Sequence, residues 1–154
     1  MAESPHSSTI IGWREWVAIP DLGVDWTKAK IDTGAATSSL HAFDLVDHCD
    51  RVSFRLYPWQ ESEDDARDAD LPVHDRRTVR SSSGHEEERI VVLLTVQLAG
   101  RTTEIETTLT NRDSMGFRML IGREALRQGF LVDPAASFLG GRAPRHVRRA
   151  NRGR

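Results

Sequence analysis

The stretch KIDTGAATSSLHA, Lys30 to Ala42, carries the residues best suited to chemistry. Asp32 follows an apolar residue and precedes Thr33, Gly34 and Ala35. A carboxylate in a tight loop at a strand end can activate water if a second carboxylate lies within a few ångströms. Like charges that close cannot both ionise, so the pair shares a proton and the two pKa values separate. The ionised member takes a proton from water. The protonated member donates to the carbonyl oxygen that gains charge in the tetrahedral intermediate. Thr33 offers a hydroxyl to lock such a loop, and Gly34 lets backbone approach the carboxylate. The competing reading is an Asx-type turn with no chemistry.

The pair requires a partner for Asp32, and the chain holds one Asp-Thr-Gly triplet. Asp113-Ser114-Met115 lacks the glycine and reads as structural. A symmetric homodimer supplies the partner, with Asp32 of each subunit meeting on the two-fold axis.

Other chemistries have weaker support. His85-Glu86-Glu87-Glu88-Arg89 has an arginine where a zinc-protease helix needs its second histidine. His41, His48 and Cys49 could meet at a metal only if the adjacent His48 and Cys49 turned the same way. The acid-rich run Gln60–Asp70 lacks the glycine and closing glutamate of a calcium loop and reads as a mobile loop or strand tip. No glycine-rich phosphate cradle is present. The sequence is therefore read as needing neither metal nor cofactor.

The elements that must position Asp32 read as short strands. Ile10–Ile19 alternates, Pro20–Gly23 is a turn, and Trp26–Ile31 runs straight into Asp32. Arg51–Tyr57 alternates strictly, with Val52, Phe54 and Leu56 on one face. A strand ending at Arg80, a turn over Ser81, Ser82, Ser83, Gly84 and His85, and a long strand to Ala99 form a hairpin. Thr102–Leu109 is rich in β-branched residues. Arg118–Gly122 and Phe130–Pro134 are short strands around the helical piece Arg123–Gln128, which Gly129 ends. About eight strands and one short C-terminal helix predict an all-β domain, a barrel or sandwich.

The 154 residues point to one domain with a real core. Residues 1–9 read as a disordered leader without signal-peptide character, 10–139 as the domain, and 140–154 as a basic disordered tail. From Arg142 onward there are six arginines and no acid, so residues 1–141 hold 15 basic against 23 acidic residues, a net of −8. Such an acidic body argues against nucleic acid as the partner. No apolar run is long enough to span a membrane. One cysteine, Cys49, fits a reducing compartment, and the protein is read as soluble and cytoplasmic.

Ile31-Asp32-Thr33-Gly34-Ala35 resembles the catalytic loop of the retropepsin-like aspartic proteases. Met119-Leu120-Ile121-Gly122-Arg123 is similar to the apolar-apolar-Gly-Arg run near the end of that fold, with a short helix behind it. Thr78–Val92 stands where the family's flap hairpin falls. The resemblance spans residues 10–139 in order and implies a closed retropepsin-like β-barrel. It implies a catalytic Asp32, a homodimer, a peptide or protein substrate, a substrate-gating flap at Ser81–His85, and Gly122 and Arg123 as structural support. Arg123 is expected as a buried cation of the assembled dimer.

Finer details of KIDTGAATSSLHA, VRSSSGHEEER and LTNRDSMGFRMLIGREAL resemble bacterial proteins called ATP-dependent zinc proteases and associated with RimK-type ATP-grasp ligases. The residues support neither the ATP nor the zinc of that name. Ala36 and Thr37 stand where viral relatives often carry acids, and the flap tip is polar. A charged or glutamate-bearing tail is therefore one substrate expectation. The alternative functional reading is a weakly catalytic or silent peptide-binding partner of an ATP-grasp ligase.

Overall fold

A computed structural model describes residues 8–59, 66–80, 83–111 and 117–151. Ser81, Ser82 and Asp113–Met115 lie outside the described residues, as do residues 1–7 of the expected leader and 60–65 of the acid-rich run.

Among the described residues, twelve strands and two short helices follow in chain order. They begin with β1 (Thr9–Gly12), β2 (Arg14–Ile19) and β3 (Val24–Asp32), the last two joined by a 3₁₀ turn at Pro20–Leu22. Next come β4 (Ser38–His41), β5 (Phe43–Asp47), β6 (Arg51–Leu56), β7 (Arg67–Pro72), β8 (Asp75–Arg80), β9 (Glu86–Leu98) and β10 (Arg101–Thr110). The chain continues through β11 (Met119–Gly122), α1 (Arg123–Leu126), β12 (Phe130–Asp133) and α2 (Arg145–Ala150). The all-β expectation holds. No helix among the described residues is long and apolar enough to cross a membrane.

The main sheet closes on itself. Its hydrogen-bonded order runs β10–β4–β11–β3–β2–β9, and β9 pairs again with β10. Closure removes the free edges that an open sheet exposes. The pattern behind it is visible in β9, where Ile90, Val92, Leu94, Val96 and Leu98 point inward and are buried. In β10 the inward row is Thr103, Ile105, Thr107 and Leu109, while Glu104 and Glu106 face out. Ile31, Leu40, Met119 and Ile121, from the strands around Asp32, are buried in the same core.

Several elements differ from the sequence reading. The single strand expected over Ile10–Ile19 breaks at Trp13. β1 leaves the barrel and pairs in parallel with β12, while β2 stays in it. The break is held by Glu15, a fully buried carboxylate that accepts the N–H groups of Gly12 (2.7 Å), Leu139 (2.9 Å) and Gly140 (2.9 Å). The acid-rich segment expected as a mobile loop or strand tip is strand β7 from Arg67 on. Opposite charges on β6 hold it, with Arg51 on Asp70 at 2.6 Å and Arg55 on Asp68 at 2.9 Å.

The tail expected to be disordered folds at residues 145–150 into a second helix, α2. Val147 is its buried anchor and packs with Trp16 and Ala143 beside Trp26, Trp59 and Phe138. One apolar side chain set on an aromatic shelf supplies the burial that an Arg-rich segment otherwise lacks.

A second sheet, β5–β6–β7, is tied to the β8–β9 hairpin by Arg76. Its guanidinium grips Asp47 through two 2.7 Å bonds, reaches Glu88 at 3.1 Å, and donates to the Cys49 carbonyl at 2.8 Å. Hydrogen bonding from Arg76, helped by the Cys49 N–H, holds the Asp47 carboxyl at about 2 against an ordinary 3.8. A depressed carboxyl contributes stability that is present above pH 4 and lost as the pH falls towards 2. Carboxyl carbon shifts of Asp47 should titrate near pH 2 in the native protein. In Arg76→Met the midpoint should return towards 3.8.

Candidate active site

The Asp32 loop is built by β3 and β4, which flank it in sequence, and by β11, which lies far from both along the chain. β3 delivers Asp32, and β11 runs parallel to it with Gly122 opposite Asp32 in register. β4 leaves the loop and pairs with β11 from the other side. The loop from Thr33 to Thr37 is thus threaded between a strand it precedes and a strand near the end of the chain.

Asp32, Gly34 and Ala35 meet through the loop's own hydrogen bonds. The Asp32 carboxylate accepts the Gly34 N–H through Oδ1 at 2.9 Å, which sets its orientation. A Cβ on Gly34 would stand 3.2 Å from that same oxygen. The Ala35 N–H reaches back to the Asp32 carbonyl at 3.3 Å, closing the turn. Asp32 is half-buried, whereas Thr33, Gly34, Ala36 and Thr37 are exposed. The carboxylate therefore stands on an open face of this single chain, surrounded by small residues.

Gly122 and α1 brace the loop from beneath. A Cβ on Gly122 would fall 2.6 Å from the Thr37 carbonyl carbon and oxygen and 2.8 Å from the Ala35 oxygen. No side chain fits there. The N–H of Gly122 donates to the buried Ser38 hydroxyl at 3.0 Å. The first N–H groups of α1 have no side-chain cap, and they donate to the loop instead: Arg123 to Ala35 at 2.7 Å and Glu124 to Ala36 at 3.1 Å. The orphan donors of a helix start thus become the loop's fixings. The guanidinium of Arg123 donates to the Thr33 carbonyl at 3.2 Å and is exposed in the single chain, where a buried cation was expected of the pair.

Gly122→Ala follows as a test of this bracing. The added methyl must push the Thr37 and Ala35 carbonyls outward, an overpacking that costs on the order of 1–3 kcal/mol. A displacement of about 1 Å at a reacting group lowers rate by roughly a hundredfold. The expected result is a folded protein by circular dichroism whose activity has fallen by that order.

The hairpin expected as a flap is present as β8 and β9, and Ser83, Gly84 and His85 stand exposed at its tip. Gly84 has φ +86°, the left-handed conformation such a turn needs. The hairpin is strongly charged but internally matched. Arg80 meets Glu86 at 3.1 Å and Arg89 meets Glu87 at 3.0 Å. Arg77 bridges Asp75 at 2.8 Å and Glu106 at 2.6 Å.

The metal-ligand readings do not come together. Glu86–Arg89 lie on strand β9, where neighbours alternate faces, and not on a helix that would stack them. His41 is buried in β4 against Phe43, while His48 and Cys49 are exposed at the β5–β6 turn. Among the described residues no three His, Cys, Asp or Glu side chains are grouped as a metal site.

Sequence reasoning missed Ser38 and Glu15. Both are polar residues at buried positions in strands, and only their long-range backbone partners reveal them.

Comparison with known proteins agrees with this geometry. Residues 10–143 match the RimB-like family, described as retropepsin-like aspartic endopeptidase RimB. A protein of Shewanella pealeana named probable alpha-L-glutamate ligase is 48% identical over 133 residues, 84% of this chain and 29% of that protein. One of the same name from Parasynechococcus marenigrum is 45% identical over 132 residues, 83% of this chain and 28% of the relative. The chain thus spans less than a third of the length of these curated relatives. A crystal structure of a Legionella pneumophila protein of unknown function superposes with a TM-score of 0.71 at 26% identity, covering 87% of this chain and 99% of that one. With the matched span running from β1 past β12 and holding the whole Asp32–Gly122 arrangement, this chain belongs to the RimB-like family of retropepsin-like aspartic endopeptidases.

Proposed function

We propose that this chain is an aspartic peptidase that hydrolyses peptide bonds with water activated by Asp32 of two copies. The observation that carries the reading is the Asp32 carboxylate itself. It is oriented by the Gly34 N–H on a loop whose outer residues are exposed and whose underside is fixed by Gly122 and α1. A braced loop of small residues with an open carboxylate is half of a dyad, and a two-fold axis through it completes the pair. One shared proton between the two carboxyls then provides base and acid together. The β8–β9 hairpin serves as the lid that opens to admit peptide and closes to exclude water.

The decisive experiment compares cleavage of peptides by the wild type and Asp32→Asn, with and without chelator, alongside light scattering. The reading expects a dimer, cleavage that the variant loses, and no response to chelation. Cleavage by Asp32→Asn at the wild-type rate, or full activity from a monomer, would refute it.

A second reading has one specific observation behind it. The relatives named glutamate ligases contain this unit as less than a third of their length. On that reading the same face holds a peptide for a ligase of the ATP-grasp type without cutting it. Peptide binding without cleavage by a dimer of intact fold would favour it.

A further inference from the structure

From Arg142 onward the sequence holds six arginines, no lysine and no acid. Arg142, Arg145, Arg148 and Arg149 lie among the described residues, the last three on α2, which begins past the family-matched span 10–143. These arginines break several local rules at once. Arg145 and His146 fill the first turn of the helix, where its end is already positive, with no acid and no side-chain cap to offset them. Arg145 and Arg149 stand four apart, a spacing at which like charges on a helix repel. Arg148 keeps a buried Nε without a hydrogen-bond partner among the described residues. On the sheets, Arg51, Arg55, Arg76, Arg77, Arg80 and Arg89 each meet a carboxylate. Arg142, Arg145 and Arg149 are exposed and meet none among the described residues.

Each of these faults costs stability within the chain, and an anion bound from outside relieves them together. Val147, the buried anchor of α2, stands two residues from both Arg145 and Arg149. At 3.6 residues per turn that puts the two arginines on the side opposite the anchor, facing outward. The cavity beneath the helix is lined by Arg67 and His146 as well as Asp25, which is its one acid among the described residues. The Arg14 and Arg142 guanidinium groups stand over Phe138, part of the same aromatic shelf, at 4.9 and 5.7 Å. The expectation that an acidic body turns nucleic acid away averages over a molecule whose charges are segregated. Residues 1–141 carry a net of −8 and the remainder carries +6. At physiological salt, exposed charges are largely screened from one another beyond about 8 Å.

We propose that the outward face of α2, with Arg142 beside it and the arginines that follow it in sequence, binds the phosphodiester backbone of a nucleic acid. A membrane surface needs an apolar helix face to bury, and the anchor of α2 already packs against Trp16 and Ala143. An acidic protein surface asks for matching shape and hydrogen bonds over a broad patch. A phosphate backbone repeats one charge at a short interval and asks chiefly for cations at a similar interval. Arg145 and Arg149 supply such a pair, with about 5–6 Å between Cβ atoms at that helical spacing. Arginine suits the task better than lysine, because its planar fork takes two phosphate oxygens at once. The inference goes beyond the peptidase reading and uses no residue of the Asp32 loop, of its Gly122 brace or of the β8–β9 hairpin.

The test titrates the full chain into a labelled single-stranded dodecanucleotide, as RNA and as DNA of one sequence, with anisotropy as readout. No cleavage is measured, so the outcome is separable from the peptidase reading. Binding is expected with a dissociation constant of about 10⁻⁶–10⁻⁴ M at physiological salt, weakening steeply as salt rises. Arg145→Gln/Arg149→Gln, at two exposed positions, should keep its circular dichroism spectrum and bind about tenfold more weakly. Its log–log salt slope should fall by about 1.4, two contacts at roughly 0.7 each on a single strand. Tighter binding of the RNA or of the DNA identifies the source, and either result, like equal binding, upholds the backbone assignment. Unchanged affinity and salt slope in the double variant would overturn it. So would a double variant that loses a labelled oligoaspartate while holding the oligonucleotide as before, which assigns the face to carboxylates.

Discussion

Asp32→Asn is expected to lower the rate of peptide cleavage by about a hundredfold to ten-thousandfold, the usual contribution of a positioned acid or base. The substitution is close to isosteric. Its amide oxygen can still accept the Gly34 N–H that now meets Oδ1 at 2.9 Å, so the loop keeps its shape. What disappears is the pair's capacity to share one proton between two carboxyls and so to act as base and acid at once. Binding should survive, because the substitution leaves the size and shape of the loop unchanged. A fall in kcat with an unchanged dissociation constant is therefore the signature. Mixing wild type with the variant sharpens it, since the mixed dimer has one carboxylate and should be as slow as the variant pair.

Glu15→Ala is expected to be the most destabilising single change away from the Asp32 loop. The carboxylate is fully buried, with Oε2 accepting from Gly12 and Leu139 and Oε1 accepting from Gly140. Truncation leaves three backbone N–H groups without acceptors in a place water cannot easily reach. Each such group costs on the order of 1–3 kcal/mol, and the sum approaches about 3–5 kcal/mol or more. That is a large share of the roughly 5–15 kcal/mol that stabilises a domain. For a chain of this size the melting temperature should fall by about 10 °C. Glu15→Gln should cost less, because its one oxygen still serves part of the set. A thermal melt that barely moves in Glu15→Ala would show that the turn at Gly12 and the segment at 139–140 are held by something else.

Much of the barrel was legible because its strands announce themselves one at a time. Val52, Phe54 and Leu56 alternate and are all buried, and the inward row of β9 is a clean period of two. The order of elements around Asp32 and Gly122 also read correctly, since a glycine between an apolar strand and a short helix is a local signal. Illegible parts depend on partners remote in sequence. β4 reads as Ser-Ser-Leu-His, a poor strand by composition. It forms because β10 and β11 flank it and Gly122 meets Ser38. β7 is acid-rich and exposed, and only the arginines of β6 explain it. α2 looks like a solvated tail until Trp16 is placed beneath Val147.

The bracing of the Asp32 loop by Gly122 has a consequence for how the protein comes into being. The loop's carbonyl at Thr33 and the guanidinium that holds it are 90 residues apart along the chain. During synthesis at about 5–20 residues per second, roughly 5–18 s separate the appearance of one from the other. Through that interval the acidic triplet exists without its floor, and long-range parallel pairing of this kind forms late in folding. A nascent chain thus carries its potential hydrolytic residue through that interval in an unassembled form. Placing the floor of the site 90 residues after the loop delays competence until the strands between them have been made.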